Sequence, residues 1–178
     1  MLRKIIRIIR NFIRTLEKSE LVEIFFFPII ATVLIYFLCN TSLINFDGGI
    51  NKFISEFNNI VISTTSIISA FGMGSLGMIV ASSSPNIEAA KDYMTEKVGV
   101  NGICLSYYKI QILRHFFSLF VLFLLLIYSI CMLFIQILKI NIMPLLYIEI
   151  FLLFLALISQ VFVIQGIYFL FVDPKRNY

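Results

Sequence analysis

The chain has 178 residues and a formal net charge of +4, and it is 60% hydrophobic but only 13% charged. Soluble domains usually contain about 45–50% apolar and about 25% charged residues, so this composition argues against an ordinary soluble domain and indicates one integral membrane domain. The three cysteines are an odd number without a CxxC pair, which argues against a disulfide framework and a metal site. We expect no cofactor.

The first twenty residues, which begin MLRKIIRIIRNFIR, predict an amphipathic helix. Isoleucines and Phe12 occupy one side of a helical wheel, and a sector about 60° wide on the other side holds four arginines: Arg3, Arg7, Arg10 and Arg14. We expect residues 1–20 to lie in the membrane interface, with the arginines at anionic lipid head groups. The alternative is that the arginine face contacts a cytoplasmic protein or a nucleotide; nucleic acid is a less favoured partner.

Four apolar stretches are long enough to cross a bilayer, which takes about 20 helical residues. They predict transmembrane helices over residues 21–39, 60–84, 115–138 and 145–172. The predicted fold class is therefore all-α, a four-span polytopic membrane protein. Before the second span, Ile50, Phe53, Ile54 and Phe57 recur at helical spacing, which indicates a short helix on the outer membrane surface or an earlier start of that span.

The basic residues are distributed unevenly between the spans. Twelve of the fourteen lie in the N-terminal segment, the loop 85–114 and the C-terminal tail, whereas Lys52 and Lys139 lie in the two opposite loops. By the positive-inside rule, we expect both termini and the loop 85–114 in the cytoplasm, with the spans in a bacterial inner membrane. In that loop, SSSPN predicts a capped helix start, IEAAKDYMTEK the helix itself, and VGVNG its end before an extension of the third span.

The second predicted span carries a stripe of small residues. One helical face about 80° wide holds Ser63, Ser66, Ala70, Gly74, Gly77, Ala81 and Ser84. Small residues allow helices to approach closely in lipid, so the stripe predicts a packing face. Its partner is another helix of the same subunit, a second subunit, or, in a third interpretation, the lumen of a pore.

Polar side chains within spans are costly in lipid and are often functional. Gln160 and Gln165 lie deep in the fourth predicted span, about 140° apart on the helix, and we expect one of them to face another helix or a substrate path. Glu23 and Glu149 lie near the edges of their predicted spans, where they can reach water. We therefore expect no deep ionisable residue.

Two patterns that suggest catalysis or cofactor binding are set aside. Gly72, Gly74 and Gly77 spell GxGxxG, but a dinucleotide site needs these glycines between a strand and a helix. Ser75 lies deep in the second predicted span and His115 at the edge of the third, so their depths do not match for a catalytic dyad. We expect no enzyme activity.

The layout of the whole chain resembles the small four-span membrane subunits of bacterial anti-phage systems, such as the Kiwa-type membrane subunits. The shared features are a basic N-terminal segment, a cytoplasmic loop between spans two and three, a tight hairpin of spans three and four, and the short basic tail DPKRNY. Because the resemblance is one of organisation, it transfers no individual site. It implies a homo-oligomer of the inner membrane that senses a disturbance there and holds or regulates a cytoplasmic effector.

Three functional hypotheses follow. The leading one is a non-enzymatic sensor or anchor subunit of a defence complex, which engages a cytoplasmic protein partner. The second is a pore-forming effector or ion channel assembled along the small-residue stripe, and the third is a membrane protein that confers immunity to a toxin.

Overall fold

The structure, a computed structural model, describes residues 2–40, 49–138 and 143–172. Lys139 and the tail DPKRNY, which contribute to the predicted charge bias, lie outside these residues. The elements in chain order are α1 (Leu2–Thr15), α2 (Lys18–Asn40), α3 (Ile50–Ala81), α4 (Pro85–Asp92), β1 (Met94–Val98), β2 (Cys104–Ser106), α5 (Tyr107–Ile137) and α6 (Met143–Val172).

Four of the helices are long and apolar enough to cross a membrane: α2, α3, α5 and α6. The predicted all-α, multi-pass membrane architecture is therefore confirmed. The helices extend beyond the predicted spans, since α3 already begins at Ile50 and α5 at Tyr107. The apolar repeat that starts at Ile50 thus belongs to an early start of the second span, one of the two alternatives that the sequence left open.

The bundle is organised around α5, which packs between α3 and α6, while α2 packs on α6. Leu122 and Leu125 of α5 and Ala156 of α6 lie in the main apolar core. The side of α2 that faces away from α6 exposes large apolar side chains such as Phe26 and Phe37. In a bilayer this surface faces lipid, because lipid chains are as apolar as these side chains.

Our prediction for the segment between α3 and α5 is wrong from Tyr93 onwards. The helix starts as expected, with Ser84 as its N-cap and the Ile87 amide donating to the Ser84 hydroxyl, but it ends at Asp92. MTEKV then forms strand β1, which pairs antiparallel with β2 through the partners Met94–Ser106 and Val98–Cys104. Thr95 and Val98 favour a strand, and Gly102, with φ of 74°, supplies the left-handed residue that the connecting turn requires.

Candidate functional site

The helix α1, the helix α4 and the β-hairpin form one folded unit at one end of the bundle. We call this unit the platform and define it as residues 2–15 and 85–106. The helix α1 packs on α5 and on β1, and α4 packs on α5, α6 and β2. The platform is therefore attached to the bundle through α1 and through α4. Side chains of the platform that these contacts do not cover remain exposed.

The attachment of α1 to the bundle depends on one aromatic stack. The ring of Phe12, which is only 2% exposed, lies parallel to the ring of Phe117 in α5, with centroids 3.8 Å apart. At the end of α1, the hydroxyl of the buried Thr15 donates to the Phe12 carbonyl oxygen at 2.7 Å. An amphipathic helix is thus present, and its inward side chain Phe12 packs on protein. It ends at Thr15 and not at residue 20 as predicted, because α2 already begins at Lys18.

Side chains of α1 also hold the turn of the hairpin. The Val100 amide donates to Asn11 Oδ1 at 2.7 Å, and Arg7 Nη2 donates to Asn101 Oδ1 at 2.6 Å. Lys97 of β1 forms an ion pair with Glu17, just after α1, at 3.4 Å. These three contacts fix the hairpin against α1, so the two elements present one surface.

The same end of the bundle contains a largely buried ion pair. Arg114 Nη2 of α5 lies 2.5 Å from Glu20 Oε1 of α2, and the two side chains are 15% and 20% exposed. The other oxygen, Glu20 Oε2, accepts from the Glu17 amide at 2.9 Å and so caps the start of α2. Arg114 also lies over the ring of Phe162 in α6. One residue of α5 thus connects α2 and α6 directly above the platform.

The helix α4 is held to the end of α6. Asn86 Nδ2 donates to the Phe171 carbonyl oxygen at 2.8 Å. Two residues of α4, Ile87 and Ala90, are fully buried, and Ala90 packs in a cluster with Leu170 of α6. This contact leaves the outer side of α4 exposed.

The exposed surface of the platform carries both signs of charge on separate elements. On α1, Arg3, Arg10 and Arg14 are exposed and form no ion pair within the described ranges, whereas Arg7 bonds the hairpin. On α4 and β1, the exposed acidic residues are Glu88, Asp92 and Glu96. Between α1 and the hairpin lies a cleft of about 180 Å³ whose lining includes Cys104 and Lys109. The surface therefore offers a basic edge, an acidic edge and a shallow cleft.

The small-residue stripe of α3 lies on the side opposite the buried face of that helix. Its predicted members Ser66, Ala70, Gly74, Gly77 and Ala81 are all exposed. Of these five, only Gly77 borders a cavity of about 540 Å³ between α1, α3 and α5. A Cβ atom added to Gly74 or Gly77 would meet no atom within 4 Å, so these glycines make no close helix contact inside the subunit. The sequence left open three partners for the stripe: another helix of the same subunit, a second subunit, or the lumen of a pore. These five residues do not pack closely on another helix of their own subunit.

Another glycine of α3, Gly72, makes a close helix contact inside the subunit. Gly72 is buried, and a Cβ atom there would lie 2.8 Å from Leu119 Cδ2 of α5. In the sequence, Gly72 is notable only as part of the GxGxxG pattern. Gly72 lies about 160° from the centre of the stripe on a helical wheel, so the sequence identified the right helix but not which of its faces packs inside the subunit.

The two glutamines of α6 point in different directions. Gln165 is exposed, whereas Gln160 is partly buried and its Nε2 has no hydrogen-bond partner in the described structure. Gln160 lines a largely apolar crevice of about 520 Å³ between α3 and α6, together with Gly72 and Ser75. Gln160 is thus the one that turns towards a neighbouring helix.

Ser75 and His115 meet, contrary to the argument from depth. His115 Nε2 lies 3.1 Å from Ser75 Oγ and 2.8 Å from the Gly72 carbonyl oxygen, and His115 is 1% exposed. A carbonyl oxygen only accepts, so Nε2 carries the hydrogen and donates to it. Because a protonated Nε2 cannot take the proton of Ser75, this arrangement is not that of an activated serine nucleophile. The pair instead connects α3 to α5.

The environment of Glu149 also differs from the one predicted from the sequence. It does not reach water at the edge of a span but is fully buried, and its Oε1 accepts from Ser129 Oγ at 2.6 Å. Glu23, in contrast, is exposed on α2. No group of three or more His, Cys, Asp or Glu side chains in the described ranges is placed to hold a metal ion.

Comparisons with known proteins give no further assignment, since no family model, no curated protein and no solved structure matches this chain.

Proposed function

We propose that this chain is a non-enzymatic sensor or anchor subunit of a bacterial anti-phage defence complex, and that its platform binds a cytoplasmic effector protein. The observation that carries the proposal is the platform itself. It packs on α5 and α6, and its exposed arginines Arg3, Arg10 and Arg14 form no ion pair among the described residues. Pre-organisation lowers the entropy lost on binding, and unpaired charges at an edge favour a partner of opposite charge.

The proposed orientation follows from charge. In the described ranges, the basic residues at the platform end are Arg3, Lys4, Arg7, Arg10, Arg14, Lys18, Lys91, Lys97, Lys109 and Arg114, and the opposite end has Lys52. Basic residues next to spans favour the cytoplasmic side. The platform then lies in the cytoplasm under the inner membrane, and the exposed isoleucines of α1, such as Ile6 and Ile13, contact the lipid interface.

We also infer that copies of the chain associate through the stripe. An exposed face of small residues in a membrane helix favours close helix–helix contact. The described residues of this subunit leave that face open, and a second copy offers an identical face. Association would bring several platforms together and so raise their avidity for one effector.

A pore-forming effector or channel is the second candidate, and one observation favours it. The exposed side of α3 carries hydroxyl groups as well as small residues, including Ser63 and Ser66. In a ring of subunits, these groups would lie near the central axis. Both hydroxyls, however, donate to carbonyl oxygens of their own helix, which also suits a tightly packed contact. Ion flux through reconstituted vesicles distinguishes the two candidates.

The proposal is tested by recovering the tagged chain from its native host with a photo-crosslinking residue in place of Lys4, which is exposed on α1. We expect a crosslink to one host protein, encoded beside this gene, and loss of that complex in the Arg3→Gln, Arg10→Gln, Arg14→Gln triple variant. Lys52→Gln at the opposite end is the matched control and should keep the complex. Recovery of the chain alone under every mild solubilisation, or equal recovery of the partner with the triple variant, would contradict the proposal.

A further inference from the structure

A second polar group, separate from the platform, is buried between α3, α5 and α6. Asn58, Ser129 and Glu149 are each fully buried, at 0% exposure. Ser129 Oγ donates to Glu149 Oε1 at 2.6 Å, and Asn58 Nδ2 donates to the Ser129 carbonyl oxygen at 3.0 Å. Residues Ile54, Met132, Leu146 and Ile150 form the apolar cluster in this part of the bundle. One residue of α5 thus joins a side chain of α3 and a side chain of α6.

Two buried oxygens of this group have no partner in the described structure: Asn58 Oδ1 and Glu149 Oε2. The orientation of the Asn58 amide follows from its neighbour, because the Ser129 carbonyl oxygen only accepts and therefore faces Nδ2. Both unpaired atoms are acceptors. A buried acceptor without a donor costs about 1–3 kcal/mol, so the group needs a donor or a cation rather than another oxygen.

No basic side chain of the described ranges supplies that cation. The ion pairs there are Lys52–Glu56, Lys97–Glu17 and Arg114–Glu20, none of which includes Glu149. An uncompensated carboxylate in an apolar interior is strongly unfavourable. Within the described ranges, the other ionisable groups towards this end of the bundle are two on α5, namely the exposed thiol of Cys131 and the phenol of Tyr128, which donates to the Leu145 carbonyl oxygen. The rest are Tyr36 and Cys39 on α2, Tyr147 on α6, and the exposed pair Lys52 and Glu56 on α3.

We propose that Asn58, Ser129 and Glu149 form a binding site for one monovalent cation, and that this cation is a proton on Glu149 Oε2. The bound proton makes the carboxyl neutral, which removes the uncompensated charge. It also converts Oε2 into a donor, so the group then holds one donor and one acceptor, Asn58 Oδ1, in place of two acceptors. Glu149 lies six residues after Met143, the first residue of α6, a distance of about 9 Å along the helix. The proton therefore exchanges with the aqueous side opposite the platform. This site stands whether or not the platform binds an effector.

Infrared difference spectroscopy of the full chain in lipid nanodiscs tests this site. Glu149 is the only acidic side chain among the buried residues of the described ranges, so wild type minus Glu149→Gln isolates its signal. At neutral pH we expect the carbonyl stretch of one protonated carboxyl per chain, absent in Glu149→Gln and unchanged in Glu56→Gln. Ser129→Ala should shift this band to higher frequency, because the hydrogen bond to Oε1 is lost.

The Ser129→Ala comparison keeps the proposal testable if Glu149→Gln does not fold. Absence of the protonated band in the wild type at neutral pH would overturn the proposal. A second arm measures thermal unfolding in sodium and in choline chloride. We expect the same melting temperature in both salts. A higher melting temperature in sodium chloride that is lost in Glu149→Gln would assign the site to a sodium ion and overturn the proposal that the cation is a proton.

Discussion

Three glycines of α3 provide the sharpest test of how the subunit packs and how copies associate. Gly72 faces α5 and lies against Leu119, whereas Gly74 and Gly77 have open space where a side chain would go. The same substitution at the three positions therefore separates contacts within the subunit from contacts between subunits. The helix itself is common to all three, so its intrinsic preferences cancel in the comparison.

The expected energies follow from the distances. Replacing a helical glycine by alanine stabilises a helix by about 1 kcal/mol, because less backbone entropy is lost on folding. At Gly74 and Gly77 nothing opposes this gain, so Gly74→Ala and Gly77→Ala should leave the monomer equally stable or stabilise it by up to about 1 kcal/mol. At Gly72 the new Cβ would approach Leu119 Cδ2 to 2.8 Å. Overpacking costs about 1–3 kcal/mol, so Gly72→Ala should be neutral or destabilising by up to about 2 kcal/mol.

Leucine at the same three positions should give a larger difference in stability between Gly72 and the other two glycines. Gly72→Leu should unfold or strongly destabilise the subunit, while Gly74→Leu and Gly77→Leu should leave the monomer folded and weaken self-association. Thermal unfolding in detergent gives the first quantity, and crosslinking in native membranes gives the second. A Gly74→Leu monomer as unstable as Gly72→Leu would refute the assignment of faces. Unchanged crosslinking of Gly74→Leu and Gly77→Leu would refute association through the stripe.

Three further predictions concern the platform and its attachment. Phe12→Ala removes the stacked ring and should weaken the docking of α1 by about 3–5 kcal/mol, seen as faster tryptic cleavage at the arginines of α1; an unchanged cleavage rate would show that α1 is held elsewhere. Asn11→Ala removes the acceptor of the Val100 amide and should cost about 1 kcal/mol, read as faster hydrogen exchange in the turn of the hairpin, and exchange as slow as in the wild type would count against this contact. Glu20→Gln leaves Arg114 without its carboxylate and should lower the stability of the bundle by about 1–3 kcal/mol in thermal unfolding, whereas an unchanged melting temperature would mean that the pair is solvent-screened.

The spans and the N-terminal helix could be predicted from sequence because lipid imposes a simple requirement. An apolar stretch in a bilayer must satisfy its backbone hydrogen bonds internally, which makes a helix of known minimum length. The hairpin could not be predicted in the same way. IEAAKDYMTEK carries charged residues at helical spacing, and the strand that follows Asp92 depends on pairing with β2, ten residues further along the chain.

The faces of the helices were the least predictable feature. The stripe of α3 and the buried face that carries Gly72 lie about 160° apart on the same helix, and only the positions of α5 and α6 determine which of the two is covered. Depth was misjudged for a related reason. From the platform end, Ser75 lies about 9 Å along α3 and His115 about 12 Å along α5, because α5 begins eight residues before the predicted span. Glu149 is buried because the neighbouring helices extend beyond it.

The labelling of Cys104 tests the central claim, that the platform projects into the cytoplasm, most directly. Cys104 is exposed on β2, whereas Cys39 and Cys131 lie within α2 and α5 and can be replaced by alanine without touching the platform. In bacterial cells with an opened outer membrane, a membrane-impermeant maleimide should leave Cys104 unlabelled until the inner membrane is permeabilised. Labelling of Cys104 in cells with an intact inner membrane would place the platform outside and contradict the proposed function.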